Sequence, residues 1–148
     1  MISFDTNILI YSVQETEEDR HQVAAELVER AIRRGRCVQT LQSLCEFFNV
    51  ATRKVGMAPQ AAARFIDRWQ IAAAVEAASA TDLADAMRAV REHGLQFWDA
   101  MLWATARRAG ARTLITEDFQ DGRVIEGVRI VDPFVAGNAP LIDRALAG

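Results

Sequence analysis

The sequence predicts a single α/β domain with three layers, in which helices cover both faces of a short, mostly parallel central sheet. Short β-branched or apolar segments alternate along the chain with longer segments of helical periodicity. Strands that are separated by helices pair in parallel, because parallel neighbours need a crossover connection. The length of 148 residues suits one domain, and an apolar fraction of 51% is enough for a substantial core.

The chain opens with a strand followed by a helix. Residues 2–4 form the strand, and Asp5, Thr6 and Asn7 form an N-cap cluster before an apolar helical turn over 8–11. A second helix, over 23–32, ends at Gly35. Residues 36–39 are then predicted as the second strand.

Two helices follow this strand. One begins after Thr40 and ends at Gly56, and Pro59 suits the first turn of the next. The apolar residues predicted to face the core are, in the first helix, Leu41, Leu44, Cys45, Phe48, Thr52 and Val55, and in the second, Ala62, Phe65, Ile66 and Trp69. Cys45 and Cys37 are expected to be buried free thiols, because neither has a His or Cys neighbour at metal-ligand spacing.

The second half of the chain continues this alternation. Residues 74–78 fit a helix or a strand, and we interpret them as a weak strand before a helix from Thr81 to Gly94. That helix is predicted to turn Leu83, Ala86, Met87 and Val90 inward. A further helix spans 98–109, strands cover 113–116 and 128–131, and a short helix covers 141–146. One domain therefore spans 1–148, and 135–148 is its C-terminal tail or short helix.

Composition and charge exclude several classes of function. No apolar run approaches the roughly 18 residues of a membrane span, and no basic leader with a cleavage signal follows Met1, so a cytoplasmic protein without membrane contact is expected. The net charge of -3 argues against non-specific coating of nucleic acid, which depends on neutralising phosphates. Lys54 is the only lysine. The many arginines suit bidentate phosphate contacts, although a compositional bias explains them equally well.

Acidic side chains follow two of the predicted strands. Asp5 comes directly after the first strand, and Glu117 and Asp118 come after residues 113–116. Ligands of open α/β sheets bind beyond the carboxyl ends of the strands, so these acids are candidates for chemistry. Each also has a purely structural interpretation, Asp5 as a helix N-cap and Asp118 as a turn residue.

Two further acids lie on predicted helices. Asp99 is in the first turn of a strongly apolar helix and shares a face with Leu102 and Trp103, so it points where burial is expected. A favourable interaction with the helix N-terminus is the alternative explanation. Glu46 lies opposite the predicted apolar stripe and would be solvated, unless the burial of Phe47 turns that side of the helix towards a cleft.

These acids lie in four short motifs, which are residues 4–9 (FDTNIL), 44–47 (LCEF), 97–100 (FWDA) and 114–119 (LITEDF). In this order and at these separations they resemble the four motifs of PIN-domain nucleases. The compact length and the early first motif resemble, more narrowly, the VapC-like toxins of bacterial toxin-antitoxin modules. The resemblance extends to Pro133. Trp98 directly before Asp99, and two acids at the fourth motif, depart from a minimal pattern.

The resemblance implies a set of site residues. The catalytic and metal-binding carboxylates would be Asp5, Glu46, Asp99 and Asp118, with Asn7 and Thr116 as polar support and Glu117 and Asp121 as further candidate acids. Two such charges about 4 Å apart repel by roughly 4 kcal/mol at an effective dielectric constant near 20, so a divalent cation is needed to offset the repulsion. Oxygen ligands without Cys or His favour Mg²⁺ or Mn²⁺ over zinc.

We expect Asp5 and Asp99 to bridge or flank the ion, while Glu46 and Asp118 hold its waters or a second ion. The implied activity is endoribonuclease cleavage, in which a metal-activated water hydrolyses RNA phosphodiester bonds. The basic residues that are candidates for the rim of the site are Arg33, Arg34, Arg36, Arg53, Lys54, Arg107, Arg108 and Arg112, with solvated helix faces as the alternative.

The resemblance also implies protein partners, namely a second copy in a homodimer and a cognate antitoxin that occupies an apolar groove near the site. Candidate contact residues are Ile8, Leu9, Tyr11, Phe47, Phe65 and Trp69, with core packing as the alternative for each. The main rival function is a catalytically inactive PIN-like domain that binds RNA or acts as a scaffold. A receiver-like phosphoacceptor is disfavoured because it needs a lysine near a late strand end, and Lys54 lies on an early helix.

Overall fold

The computed structural model describes residues 1–148, and its elements follow the predicted alternation of strands and helices. They are β1 (Ile2–Phe4), α1 (Thr6–Val13), α2 (Glu18–Arg33), β2 (Val38–Thr40), α3 (Leu41–Arg53), α4 (Pro59–Ala72), β3 (Ala74–Glu76), α5 (Ala80–His93), α6 (Phe97–Arg108), β4 (Thr113–Ile115), β5 (Val124–Ile125), β6 (Val128–Val131) and α7 (Ala139–Ala147). A 3₁₀ turn, Ala136–Asn138, precedes α7. None of the helices combines the length and apolarity that crossing a membrane requires.

The central sheet is mostly parallel, as predicted. Its strand order is β1-β4-β6-β5, and only β5, which the sequence did not predict, runs antiparallel to its neighbour. The strands β2 and β3 form a parallel pair, and a bridge between Ile2 and Cys37 joins that pair to the edge of β1. Strand β1 therefore lies between β2 and β4, with Phe4 opposite Ile115.

Two hydrophobic clusters lie on opposite faces of this sheet. Leu114 and Ile130 belong to a cluster with α5 and α6, whereas Ile115 and Val131 belong to a larger cluster with α1, α2, α3, α4 and α7. Successive side chains of a strand point to opposite faces, so adjacent residues that enter different clusters place helices on both sides. The predicted three-layer architecture is confirmed.

The predicted core face of α3 is wrong except at Leu44, which is buried, and at Val55, which packs against the core after the helix ends. Leu41, Cys45 and Phe48 are exposed, and Ser43, Phe47 and Ala51 share the buried face with Leu44. The ring of Phe47 packs edge-on against Trp69, with ring centroids 4.8 Å apart. Burial of this aromatic pair outweighs the burial of Leu41 and Phe48, and it turns the helix so that Glu46 faces α1. Of the two cysteines expected to be buried, only Cys37 is.

The predicted core face of α5 is also wrong except at Ala86. Leu83, Met87 and Val90 are exposed, while Ala86 and Ala89 are fully buried against α6. Alanines allow two helices to approach closely, so α5 packs against α6 through its small residues and leaves its own large ones in solvent. The helix begins earlier than predicted, because Ser79 and Asp82 form a capping box at its N-terminus.

Candidate metal centre

All four predicted acids line one open cleft, with a volume of about 640 Å³. Asp5 follows β1 and Asp118 follows β4, and the parallel pairing of these strands places both acids at the same edge of the sheet. Asp99 comes from the first turn of α6 and Glu46 from the middle of α3. The cleft thus collects carboxylates from four segments that are far apart in sequence.

Asp5 is the most buried of these acids, with 6% of its surface exposed. One carboxylate oxygen accepts a hydrogen bond from the backbone N–H of Thr6 (2.7 Å), and the other accepts one from the Thr116 hydroxyl (2.7 Å). Burial raises the pKa of Asp5 to about 6; the two hydrogen bonds lower it, and the charges of Asp118 and Asp99 raise it further. An ionised Asp5 is therefore a group that a bound cation would stabilise.

Asp99 lies in the same electrostatic environment. It is half-buried beside the fully buried Leu102 and Trp103. Burial raises the pKa of Asp99 to about 6, and the negative charges of Asp118 and Glu46 contribute to the rise. Each acid thus makes ionisation of another less favourable, which is the expected behaviour of carboxylates that face a common space.

Glu46 is held by two neutral side chains. Its carboxylate accepts hydrogen bonds from the Thr6 hydroxyl (3.0 Å) and from the Gln42 amide nitrogen (3.0 Å). The same amide nitrogen donates to the backbone carbonyl of Trp98 (3.1 Å), so Gln42 joins α3 to the start of α6. Sequence reasoning missed both Thr6 and Gln42, although the spacing of Gln42 and Glu46 on one helix was an available signal.

Asp118 is oriented by the two residues expected to give polar support. The Asn7 amide nitrogen donates to its carboxylate (2.9 Å), and its backbone N–H donates to the Thr116 hydroxyl oxygen (3.1 Å). Thr116 therefore contacts both Asp5 and Asp118. The carbonyl oxygen of Asn7, which lines the cleft, is buried and has no hydrogen-bond partner within the protein.

The two further candidate acids do not line the cleft. Glu117 accepts a hydrogen bond from the Tyr11 hydroxyl (2.7 Å) and forms an ion pair with Arg20. Asp121 accepts hydrogen bonds from the backbone N–H of Asp132 (2.9 Å) and from the Asn138 side chain (2.9 Å), so it fixes the C-terminal segment. Of the two acids of the fourth motif, only Asp118 is brought to the other three.

The donor set fits a hydrated hard cation. No three of the four acids have ligand atoms within 4.8 Å of one another. A cluster that does meet this distance, Glu92, His93 and Glu126, lies outside the cleft, and there Arg88 already forms an ion pair with Glu126. Mg²⁺ keeps several waters and takes one or two carboxylates directly, so a wider ring of oxygens suits it. The unpartnered side-chain amide oxygen of Asn7 (Oδ1) would be an additional acceptor for a metal-bound water.

Most of the candidate basic residues lie outside the cleft, in agreement with the alternative of solvated helix faces. Of the eight candidate residues only Lys54 lines the cleft. Arg107, Arg108 and Arg112 line a different pocket, and Arg33 pairs with Glu29 on its own helix. Among the apolar residues proposed for partner contacts, the core interpretation is correct for those that are buried, which are Ile8, Leu9, Phe47 and Trp69.

Comparisons with known proteins place these features in context. The family model described as PIN domain matches residues 2–124. No curated protein sequence matches the chain. VapC20 of Mycobacterium tuberculosis, a toxin that cleaves the sarcin-ricin loop, superposes with a TM-score of 0.66 at 22% identity, over 85% of this chain and 98% of that one.

Two other solved structures have a similar fold. A toxin-antitoxin complex from Klebsiella pneumoniae gives a TM-score of 0.65 at 21% identity, over 90% of this chain and 98% of that one. VapBC2 from Rickettsia felis, bound to a DNA fragment from its promoter, gives a TM-score of 0.62 at 17% identity, over 88% of this chain and 97% of that one. At these identities the likeness establishes the fold.

Proposed function

Because the chain belongs to the PIN-domain family, we propose that it is a metal-dependent endoribonuclease. The observation that supports this most directly is the cleft that Asp5, Glu46, Asp99 and Asp118 line together. A buried carboxylate and a half-buried one with raised pKa values form an arrangement that costs stability unless a cation offsets it. Groups of this kind in a cleft are typical of functional sites.

Asp5 and Asp99 would hold a Mg²⁺ or Mn²⁺ ion, and Glu46 and Asp118 would hold its waters or a second ion. When bound, such an ion lowers the pKa of a water and offsets the charge of the scissile phosphate. Thr6 keeps the carboxylates of Asp5 and Glu46 at fixed positions through its backbone N–H and its hydroxyl.

Three further residues, Asn7, Thr116 and Lys54, would support the site. Asn7 orients the carboxylate of Asp118, and Thr116 links Asp118 to Asp5. Lys54 is the one basic side chain of the cleft, so it is placed to contact a substrate phosphate. The protein would thus supply rigidly held oxygens for the ion and a single positive side chain for a substrate phosphate.

We further propose that the protein is the toxin of a toxin-antitoxin module, that it acts in the cytoplasm, and that a cognate antitoxin blocks the cleft. Likeness in fold to toxin-antitoxin complexes supports the partner. The apolar residues of the cleft lining include Ile10, Val50 and Val55, which would suit the apolar side chains of an inserted segment. The exposed apolar row of α5 suits a second copy of the chain in a homodimer.

The test is cleavage of unstructured RNA by the purified protein, with Mg²⁺, with Mn²⁺ and with a chelator. We expect cleavage only with metal, and we expect Asp5→Asn and Asp99→Asn to abolish it without loss of fold by circular dichroism. Glu117→Gln is the matched control, since Glu117 lies outside the cleft. Cleavage that persists in the chelator or in either cleft variant contradicts the proposal, and RNA binding without cleavage under all conditions favours an inactive RNA-binding domain.

A further inference from the structure

Trp98 is the most exposed aromatic side chain of the protein, and it lines the cleft of the four acids. Its exposed fraction is 58%, whereas Trp69 is 9% and Trp103 is 0% exposed. The indole N–H of Trp103 donates to a backbone carbonyl in the core, as a structural tryptophan does. Trp98 contributes to no hydrophobic cluster of the core.

Two contacts restrain Trp98, one at its backbone and one at its ring. Its backbone carbonyl accepts a hydrogen bond from Gln42, which also holds Glu46. Its ring packs edge-on against Phe97, with ring centroids 5.1 Å apart. Asp99 is the next residue of the same helical turn, so a flat apolar surface stands directly beside one of the acids.

The cleft that Trp98 lines is predominantly acidic. The lining contains five carboxylates, those of Asp5, Glu17, Glu46, Asp99 and Asp118, and only one basic side chain, that of Lys54. Phosphate neutralisation, the usual source of affinity for nucleic acid, is therefore weak here. Stacking of a base on an aromatic ring needs no positive charge, and it strengthens binding by roughly five- to 150-fold per base.

We propose that Trp98 is a stacking platform for an unpaired base next to the scissile phosphate. The proposal rests on the proposed ribonuclease function and narrows its substrate to RNA that is single-stranded or looped out at the cut. A base inside a helix has both faces covered by its neighbours, so only an unpaired base can present a face to the indole. Trp98 is then a specificity-determining residue in contact with substrate.

The experiment is a double-mutant cycle on kcat/KM. One change is made in the protein, at Trp98, and the other in the RNA, at the nucleotide beside a mapped cleavage site. Trp98→Ala should lower kcat/KM on the intact RNA by roughly five- to 150-fold. The same RNA with an abasic nucleotide beside the cut should lose a similar factor with the unaltered protein, and the two losses should not multiply. Trp98→Phe should restore most of the activity.

Phe48→Ala is the matched control, because Phe48 is a half-exposed aromatic residue outside the cleft. It should leave kcat/KM unchanged. Full activity of Trp98→Ala, or losses that multiply in the cycle, would overturn the proposal. A change of self-association in Trp98→Ala with unchanged kcat/KM would assign the residue to a protein interface and would overturn it too.

A separate measurement distinguishes failure of this proposal from failure of the ribonuclease function. Because Trp69 and Trp103 are buried, quenching of tryptophan fluorescence by a single-stranded RNA oligonucleotide in Mg²⁺ reports on Trp98, with Trp98→Phe as the blank. Quenching by single strands but not by the matching duplex supports stacking even if no RNA is cleaved. Cleavage without such quenching would support the ribonuclease function and contradict the stacking role of Trp98.

Discussion

Replacement of Asp5 by asparagine should stabilise the metal-free protein while it destroys activity. Burial raises the pKa of Asp5 from 3.8 to about 6. Each pKa unit corresponds to about 1.36 kcal/mol, so the ionised carboxylate costs the fold about 3 kcal/mol above pH 6. The asparagine amide oxygen can still accept the hydrogen bond from the Thr6 N–H, but the amide nitrogen cannot accept the one from the Thr116 hydroxyl, at a cost of about 1 kcal/mol. The net gain is about 2 kcal/mol.

The gain depends on pH in a defined direction. The folded-state pKa of Asp5 is raised, so below its unfolded value, near pH 4, both states are protonated and the variant has no advantage. Between pH 4 and 6 the unfolded chain loses the proton first, and the unaltered protein loses stability as pH rises. The difference between the two proteins should grow through this window and remain constant above it.

The assay is thermal unfolding in chelator at several pH values. A gain of about 2 kcal/mol raises Tm by about 4–8 °C for a chain of this size. Mg²⁺ should stabilise the unaltered protein and narrow the gap, because only that protein keeps the buried ligand. Asp67→Asn, an exposed site, is the control and should leave Tm unchanged. A less stable Asp5→Asn protein at pH 7.5 in chelator would refute the electrostatic reasoning.

Three further outcomes test other parts of the structure. Asp118→Asn should lower the cleavage rate by about 10–100-fold, whereas Glu117→Gln should retain it, and equal losses would show that the geometry does not separate the two acids. Phe47→Ala should lower the free energy of unfolding by about 3–5 kcal/mol in urea denaturation, because a fully buried ring is removed; a loss below 1 kcal/mol would contradict its place in the core. Arg108→Ala should destabilise the protein, because the buried Asp82 carboxylate loses its charged partner and keeps only the hydrogen bonds from Ser79 and Thr105. The Arg108 side chain holds the pKa of Asp82 below its usual range, so this stabilisation exists above pH 4 and should disappear as pH falls, and an effect that is equal at pH 3 and pH 7 would argue against it.

Most strands and the layer architecture could be predicted from the sequence, because short β-branched runs such as 113–116 favour a strand over a helix. It did not predict β5, whose two residues are too short to show a period; a hairpin with Gly127 at φ 85° pairs them with β6. The inward faces of α3 and α5 were assigned from the helical spacing of apolar residues within each helix. Packing of α5 instead selected the smallest ones, a tertiary effect that no pattern within one helix reveals.

The site residues also differ in how far the sequence alone could predict them. Asp5 and the pair Glu117 and Asp118 were candidates from strand ends alone, since topology brings the ends of parallel strands together. Glu46 was suggested by the four-motif resemblance only, because its orientation depends on how Phe47 packs against another helix. The contacts of Thr6 and Gln42 depend on distances between separate elements, which sequence spacing does not contain.

The position of β1 in the sheet has a consequence for the order in which the molecule is assembled. Residues 2–4 pair on one side with residues 113–115, across more than a hundred intervening residues. This strand therefore cannot pair with β4 until the chain has been synthesised as far as residue 115. A nascent chain on the ribosome gathers the acids only once β4 has emerged. Translation products that stop before β4 therefore lack the assembled cleft.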